Sequence, residues 1–509
     1  MKVKIKKSQV SLGAVLSYIL IILNATYGLF LTPFIIGQIG DASYGVYKTI
    51  SAFTSSLMVL DLGLGGTMMR YIAKYRADKE EEKIPNFVSM GLIQTGVICF
   101  IVGVVTSILY FFLDSIYASG LTASELLKAK ELYVFLAMGI IAHILENFLN
   151  GVIAGYNRFI FANGIKVLRL VIRIVAVIVF LGLFKDPLTL VIIDLVITVA
   201  FVFLEFVYFV FCLKVKAKFT HWDKKLFSES FVYTILLFLT SIVAQVNTNF
   251  SNVAIGALIN STAVSVYSMA ILIFGMYEQM STAISGVMLP TVTNTLKTDD
   301  EKYTNTMSLI TKVGRIQFIL LGAVLAGFVT LGRPFVDMWL GDGYKDVYYL
   351  VLILLGPALL ELCINVCLSI LRAKNMLGFR TATITVTTIM NIAITLIFTK
   401  IWGYYASAIG TALSFLIGSV IVMGIYYYKK LGINILKLYG RIFNRIWICL
   451  ILSGVAAFAT SVLFDSSRMK FLFGAAAFCL VYAATLLLFG LNKYEKNLIL
   501  YKIRRQKND

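Results

Sequence analysis

The sequence predicts an all-α integral membrane protein of about fourteen transmembrane helices: two six-helix lobes related by a pseudo-two-fold axis along the membrane normal, then two extra C-terminal helices. Three observations carry this. Hydrophobic residues make up 59% of 509 positions and charged residues only 14%, with a mean hydropathy of +0.88, far from the balance of a water-soluble domain. The apolar residues lie in runs long enough to cross about 30 Å of hydrocarbon at about 1.5 Å per residue. Stretches of the first half also recur in the second.

The runs are 12–36, 45–70, 86–113, 131–155, 163–184, 188–213, 230–259, 264–290, 307–331, 347–371, 380–401, 404–428, 442–464 and 470–490. The opening "MKVKIKKSQVSLGAVLSYIL" has the charge of a signal peptide, but its apolar part continues with no small-residue cleavage site, so it reads as a retained first span. An even number of spans puts both termini on one side. With the amino terminus in the cytoplasm, thirty-six of the 45 Lys and Arg lie inside or at inner span ends, the bias that orients membrane helices. The net charge of +19 then becomes a cytoplasmic face that attracts anionic lipids. No soluble basic module exists to hold nucleic acid.

The stretch "VLDLGLGGTMMRYIAKYRADKEEEK" (59–83) ends the second span. Its "GLGG" has no preceding strand and no Lys-Ser/Thr at the spacing of a phosphate loop. Small residues there let two membrane helices approach closely, and Asp61 calls for a polar partner on a neighbouring helix. All six cysteines fall within spans as small apolar packers. Neither a cofactor motif nor metal-ligand spacing is present.

Shifting the chain by about 220 residues lays "IGQIGDASYGVYKTI" (36–50) on "IGALINSTAVSVYSMAI" (255–271), and a shift of 218 lays "ILENFLNGVIAGYNRF" (144–159) on "LCINVCLSILRAKNML" (362–377). Six spans per repeat give both lobes the same orientation, with a substrate path expected between them. The division is an N-terminal lobe 1–213, a basic cytoplasmic linker 214–229, a C-terminal lobe 230–428, and two further helices with a basic tail at 429–509.

This organisation resembles the multidrug/oligosaccharidyl-lipid/polysaccharide exporter superfamily, and within it the Wzx-type O-antigen and capsular polysaccharide flippases. The resemblance rests on "TPFIIGQIGDASYGVYKTISAF", "LDLGLGGTMMRYIAKY", "AGYNRFIFANGIKVLR" and "FVDMWLGDGYKD", in that order. It implies transfer of an undecaprenyl-diphosphate-linked oligosaccharide from the inner to the outer leaflet of a bacterial cytoplasmic membrane by alternating access, for cell-surface polysaccharide biosynthesis. Polysaccharide polymerase or assembly proteins are the corresponding partners. No cofactor is implied.

A charge near the bilayer centre costs about 2.5–3.5 kcal/mol on insertion scales, so polar residues within spans are the candidate sites. Lys48 either snorkels to the outer interface or, as the resemblance implies, holds the diphosphate. Lys166, Arg169 and Arg173 form one stripe on span 5; Arg169 and Arg173 are candidate phosphate ligands. Their structural alternative is pairing across the span 4–span 5 hairpin, where equal depth sets Glu146 against Arg173 and Asn150 against Arg169. The repeat counterparts near Thr387 and Asn391 are uncharged, so such a cradle is expected to be lopsided. On the polar span 7, Gln245, Asn247, Asn249 and Asn252 are expected to line the sugar path, or else to bond between helices. Asn24 is a weaker candidate for the facing wall. His143, Glu278 and Glu361 are candidates for ion coupling, with satisfied packing as the alternative.

Three other functions compete. A multidrug or cation antiporter of the same superfamily would favour a carboxylate-lined aromatic pocket and twelve spans. A lipid II (peptidoglycan-precursor) flippase is a close variant of the first reading. A membrane glycosyltransferase or polymerase would need a sizeable outer loop, and segments 114–130 and 332–346 are short; the reading is therefore not an enzyme.

Overall fold

The computed structural model of the chain describes residues 19–20, 23–24, 26–61, 63–214, 245, 249–286, 295, 304–373, 376–492 and 495–496. Every regular element among them is helical. In order these are α1 (Tyr27–Ile39), α2 (Asp41–Ala77), α3 (Glu81–Tyr117), α4 (Ala123–Gly155), α5 (Ile160–Phe184), α6 (Pro187–Cys212), α7 (249–258) and α8 (Ser261–Ser285). There follow α9 (Asn305–Trp339), α10 (Asp342–Cys363), α11 (Val366–Ala373), α12 (Leu377–Trp402), α13 (Tyr405–Leu431), α14 (Ile435–Phe443), α15 (Ile446–Val462) and α16 (Ser467–Gly490).

Among the described residues eleven helices are long and apolar enough to cross a membrane, and α14 and α15, bent by 50°, pass the same test together and make a twelfth if the pair is one span. These coincide with the second to sixth and the eighth to fourteenth expected spans. The first and seventh contain α1 and α7; most of the rest of both, like most of the linker 214–229, lies outside the described residues. The chain is a multi-pass membrane protein. Its helices present large apolar side chains outward, with Phe100, Phe111 and Leu463 each at least 74% exposed, as a lipid solvent requires.

By contacts the chain forms two compact units, Met1–Ser268 with Thr395–Tyr404, and Met269–Ile394 with Tyr405–Asp509. In the first, α4 is the hub, packing on α2, α3 and α6. A capping box between Thr122 and Glu125 starts it, satisfying backbone donors that no earlier turn can. The "GLGG" stretch is where α2 meets α4. A Cβ on Gly151 would come within 2.3 Å of the Gly65 carbonyl oxygen, and one on Gly65 within 2.6 Å of the Asn147 carbonyl oxygen. Only hydrogen atoms fit between these backbones. Just before the contact, α2 tightens into a 3-10 turn at Met58–Asp61 and restarts from Gly63 at φ +71°, a conformation that favours glycine. Met68, Ile72, Tyr75, Phe87, Phe148 and Val152 then close the core beneath. The corner between α7 and α8 also packs tightly in this unit: a Cβ on Gly45 would fall within 1.8 Å of the Ser261 carbonyl oxygen, and one on Gly120 within 2.0 Å of the Gly256 carbonyl oxygen. Ser261 donates to Glu125 at 2.5 Å.

In the second unit α9 packs on α15 and α16, through Leu331, Ala457 and Phe478. Arg315 anchors their foot. Its side chain is 7% exposed, and Nε and Nη2 donate to Glu495 at 2.6 and 3.1 Å. Nη1 donates to the carbonyls of Arg441 and Asn444, both at 3.2 Å, and Nη2 to that of Gly490 at 2.9 Å. One guanidinium thus satisfies carbonyls left open by the α14–α15 break, where Arg445 has φ +65°, and by the end of α16.

Two outcomes follow, both read by thermal unfolding of the detergent-solubilised chain. Gly151→Leu overpacks the α2–α4 contact and lowers stability by about 1–3 kcal/mol, whereas Gly37→Ala, where a Cβ meets nothing within 4 Å, leaves it unchanged. Arg315→Met strands Glu495 and costs about 3–5 kcal/mol.

Candidate functional site

The polar residues of the first unit collect where α2, α4, α5 and α6 face one another. On α5, Leu168, Val171, Ile172 and Val175 are exposed, and the spacing of Arg169 and Arg173 turns both toward α4 and α6. Arg169 Nη1 donates to Glu146 of α4 at 2.5 Å, and Nη2 to the Thr198 hydroxyl of α6 at 2.6 Å. His143, one turn before Glu146, places Nδ1 3.3 Å from its other oxygen. Glu146 is almost fully buried, with its side chain 6% exposed, while Arg169 retains 27%.

One turn further along α5, Arg173 forms a two-point contact with Asp194 of α6, Nε at 2.5 Å and Nη2 at 2.7 Å. The planar fork matches the carboxylate, the geometry that makes such pairs strong. Its guanidinium also lies 4.9 Å from the Tyr27 ring centre. Lys48 of α2 is within electrostatic reach of Arg173 and Asp194, and its ammonium sits 5.4 and 5.8 Å from the ring centres of Tyr44 and Tyr47. Aromatic faces offset part of the cost of taking a cation out of water.

Two further carboxylates complete the set. Asp61 accepts from Asn147 at 2.8 Å and Glu205 from Asn150 at 2.6 Å. A cavity of about 160 Å³ opens among these groups, lined by Ser51, Thr54, His143, Arg169, Asp194 and Thr198 together with apolar neighbours. It is polar enough to hold water or an oxyanion, with an arginine, a histidine and a carboxylate on its wall.

The structure therefore brings together four of the sequence candidates: Lys48 with Arg173, and Arg169 with His143. It corrects the expected pairing of Glu146 with Arg173 and of Asn150 with Arg169. Glu146 takes Arg169, Arg173 takes Asp194, and Asn150 takes Glu205. The hairpin turn is centred earlier than depth counting assumes, because α4 ends at Gly155, Asn157 turns the chain at φ +60° and α5 starts at Ile160. Other candidates sit elsewhere. Asn24 donates to the Leu20 carbonyl at 2.9 Å. Gln245 and Asn249 bond each other at 3.0 Å, Asn252 is buried and accepts from Ser268 of α8 at 3.3 Å, and Asn247 lies outside the described residues. Glu278 and Glu361 belong to the second unit. There Glu361 lies 3.7 Å from Arg380, so this lobe also places an acid of α10 against a base of α12, though not at the positions that the 218 shift selects.

Asp194 and Thr198 are the partners of Arg173 and Arg169 on α6, a pairing that sequence reading did not assign. Their spacing of four on α6 matches the spacing of Arg169 and Arg173 on α5, which is the signal that could have found them. Among the described residues no group of three or more His, Cys, Asp or Glu could hold a metal ion.

Residues 13–296 match the family described as "Polysaccharide biosynthesis protein". No curated protein matches. Among solved structures the chain is similar to "Lipid II flippase MurJ, inward closed conformation" at 16% identity and a TM-score of 0.73, covering 96% of this chain and 99% of that one. It is also similar to an inward-facing multidrug resistance MATE family transporter of the MOP superfamily, at 16% identity and a TM-score of 0.65, covering 83% and 94%. At such identities the likeness is one of fold.

Removing one member of the Glu146–Arg169 pair strands the other. Glu146→Leu is expected to lower stability by about 3 kcal/mol, and adding Arg169→Met to restore most of it, as measured by unfolding of wild type, Glu146→Leu, Arg169→Met and the double variant.

Proposed function

The chain belongs to the polysaccharide biosynthesis protein family, and on that premise we propose that it is a flippase carrying an undecaprenyl-diphosphate-linked oligosaccharide from the inner to the outer leaflet by alternating access. The observation that carries this reading is a pair of arginines set at membrane depth that are paired yet still reachable: Arg169 and Arg173 keep 27% and 25% of their side-chain surface exposed. A guanidinium bound to a carboxylate can exchange it for phosphate oxygens of similar geometry. Glu146 and Asp194 then hold the cationic charge in place between cargoes. Lys48 adds the third positive group, and Asn24, Gln245, Asn247, Asn249 and Asn252 supply amides for sugar hydroxyls.

In this scheme His143, which touches Glu146, couples the state of the acid to protons, with Glu278 and Glu361 as the corresponding groups of the second unit. The cargo must bind both end states without trapping either. Both termini face the cytoplasm of a bacterial cell, where the basic face meets anionic lipids, and polymerase or assembly proteins receive the product. A second reading is favoured by one observation: Asp61, Glu146, Asp194 and Glu205 give the same cluster four carboxylates, which suits a cation antiporter. The fold likeness to a lipid II flippase supports a peptidoglycan precursor as the alternative cargo.

Deleting the gene is expected to trap a lipid-linked glycan on the inner leaflet. Wild type restores its transfer, whereas Arg173→Ala and Lys48→Ala each lower it by about tenfold or more, the loss of one hydrogen bond to a charged group. Unchanged glycan export with altered dye efflux would instead assign the antiporter.

A further inference from the structure

Where α4, α5 and α6 meet, charges cancel rung by rung: Arg173 against Asp194, then Arg169 against Glu146. The next rung holds Asn150 and Glu205 and, among the described residues, no ion pair. Glu205 is 0% exposed. Its Oε1 accepts from the Asn150 amide at 2.6 Å, while its Oε2 is sealed from solvent with no hydrogen-bond partner. The charged groups around it are Glu146 of α4 and Lys166 and Arg169 of α5. Arg169 is taken by Glu146, and Lys166 is exposed. An ionised carboxylate here would leave one oxygen of an anion bare in a dry interior, which costs far more than one unpaired O–H. A neutral acid fits the geometry: Oε1 is its carbonyl oxygen, the acceptor that the amide requires, and the proton sits on Oε2.

From this geometry we propose that Glu205 is a proton-binding site, loaded at neutral pH. It exchanges its proton by way of Glu146 and His143, which stand on the turns of α4 that lead from Asn150 to the cavity lined by His143. The link to transport rests on the flippase reading. Cargo phosphate that takes Arg169 from Glu146 leaves a bare carboxylate within electrostatic reach of Glu205, and the added negative charge strengthens the hold of Glu205 on its proton. By reciprocity a protonated Glu205 favours loading, and loss of the proton favours release.

The test compares infrared absorption of the full chain, wild type and Glu205→Gln, in phosphatidylcholine vesicles at neutral pH. Wild type is expected to show the carbonyl band of one protonated carboxylic acid that the variant lacks, with the same carboxylate absorption in both and a Tm no lower in the variant. A difference confined to the carboxylate absorption would overturn the proposal, because Glu205 would then be an anion. Should Glu205→Gln not fold, Asn150→Ala takes its place: loss of the amide donor is expected to move the acid's carbonyl band to higher frequency, and an unmoved band would overturn the proposal equally. Raising the pH is expected to abolish the band, and saturating inorganic pyrophosphate to shift that loss upward by about 0.7 pH unit or more, a coupling of about fivefold. A band that survives until the chain unfolds would overturn exchange of the proton, and a loss at unchanged pH with pyrophosphate bound would overturn the coupling. Pyrophosphate that fails to bind at all would count against the anion site of the flippase reading, while the spectra at neutral pH still decide the state of Glu205.

Discussion

A carboxylate within hydrocarbon has to find a donor on another helix, and one eight-residue run of α4 provides most of them. Asn147 reaches Asp61 of α2, Asn150 reaches Glu205 of α6, and Glu146 receives Arg169 of α5 and His143 of its own helix. Successive residues of a helix point in different directions, so "HILENFLN" binds three neighbours at once. Breaking any one contact leaves a charge or amide in a solvent that cannot hydrate it. The polar run thus selects which helices surround α4, a choice that apolar packing against lipid makes only weakly.

Glycine sets the other condition. The Asn147–Asp61 hydrogen bond is made where α2 and α4 run nearly in backbone contact, and Gly65 and Gly151 permit it. The same run then holds Asp61 opposite Asn147. Close packing and polar pairing are one arrangement here, since a larger residue at either glycine would separate the partners. The second unit solves the corresponding problem differently. One buried arginine, Arg315, collects the open carbonyls of a broken helix and the carboxylate of Glu495, so the two extra helices are tied down by a charge network at one end and apolar packing along their length.

These features bear on transport through their energies. Pairs such as Arg173–Asp194 and Arg169–Glu146 keep strong cations in the membrane at low cost, yet each guanidinium remains partly exposed, and Arg169 lines a cavity. In the proposed flippase cycle the carboxylates act as internal stand-ins for the phosphates, so an unloaded site is never left with uncompensated charge. A site with arginines alone would bind an anion more tightly and release it more slowly.

Much of this was legible in the chain itself. Apolar runs and the spacing of glycines determine the membrane class, the placing of the described spans, and the contact role of "GLGG", because each depends on local composition or on spacing along a single helix. Lys48, Arg169, Arg173 and His143 also stand out, since ionisable residues within spans are rare. Their partners do not. Whether Arg173 meets Glu146 or Asp194 depends on where the α4–α5 turn closes, and a shift of one helical turn exchanges every pairing while leaving the sequence pattern unchanged. Arg315, Glu495 and Arg380 acquire meaning only once distant helices are side by side. Composition chose the solvent and the helices; the choice of charge partner, which rests on ångström-scale register between helices far apart in the chain, belonged to the tertiary structure.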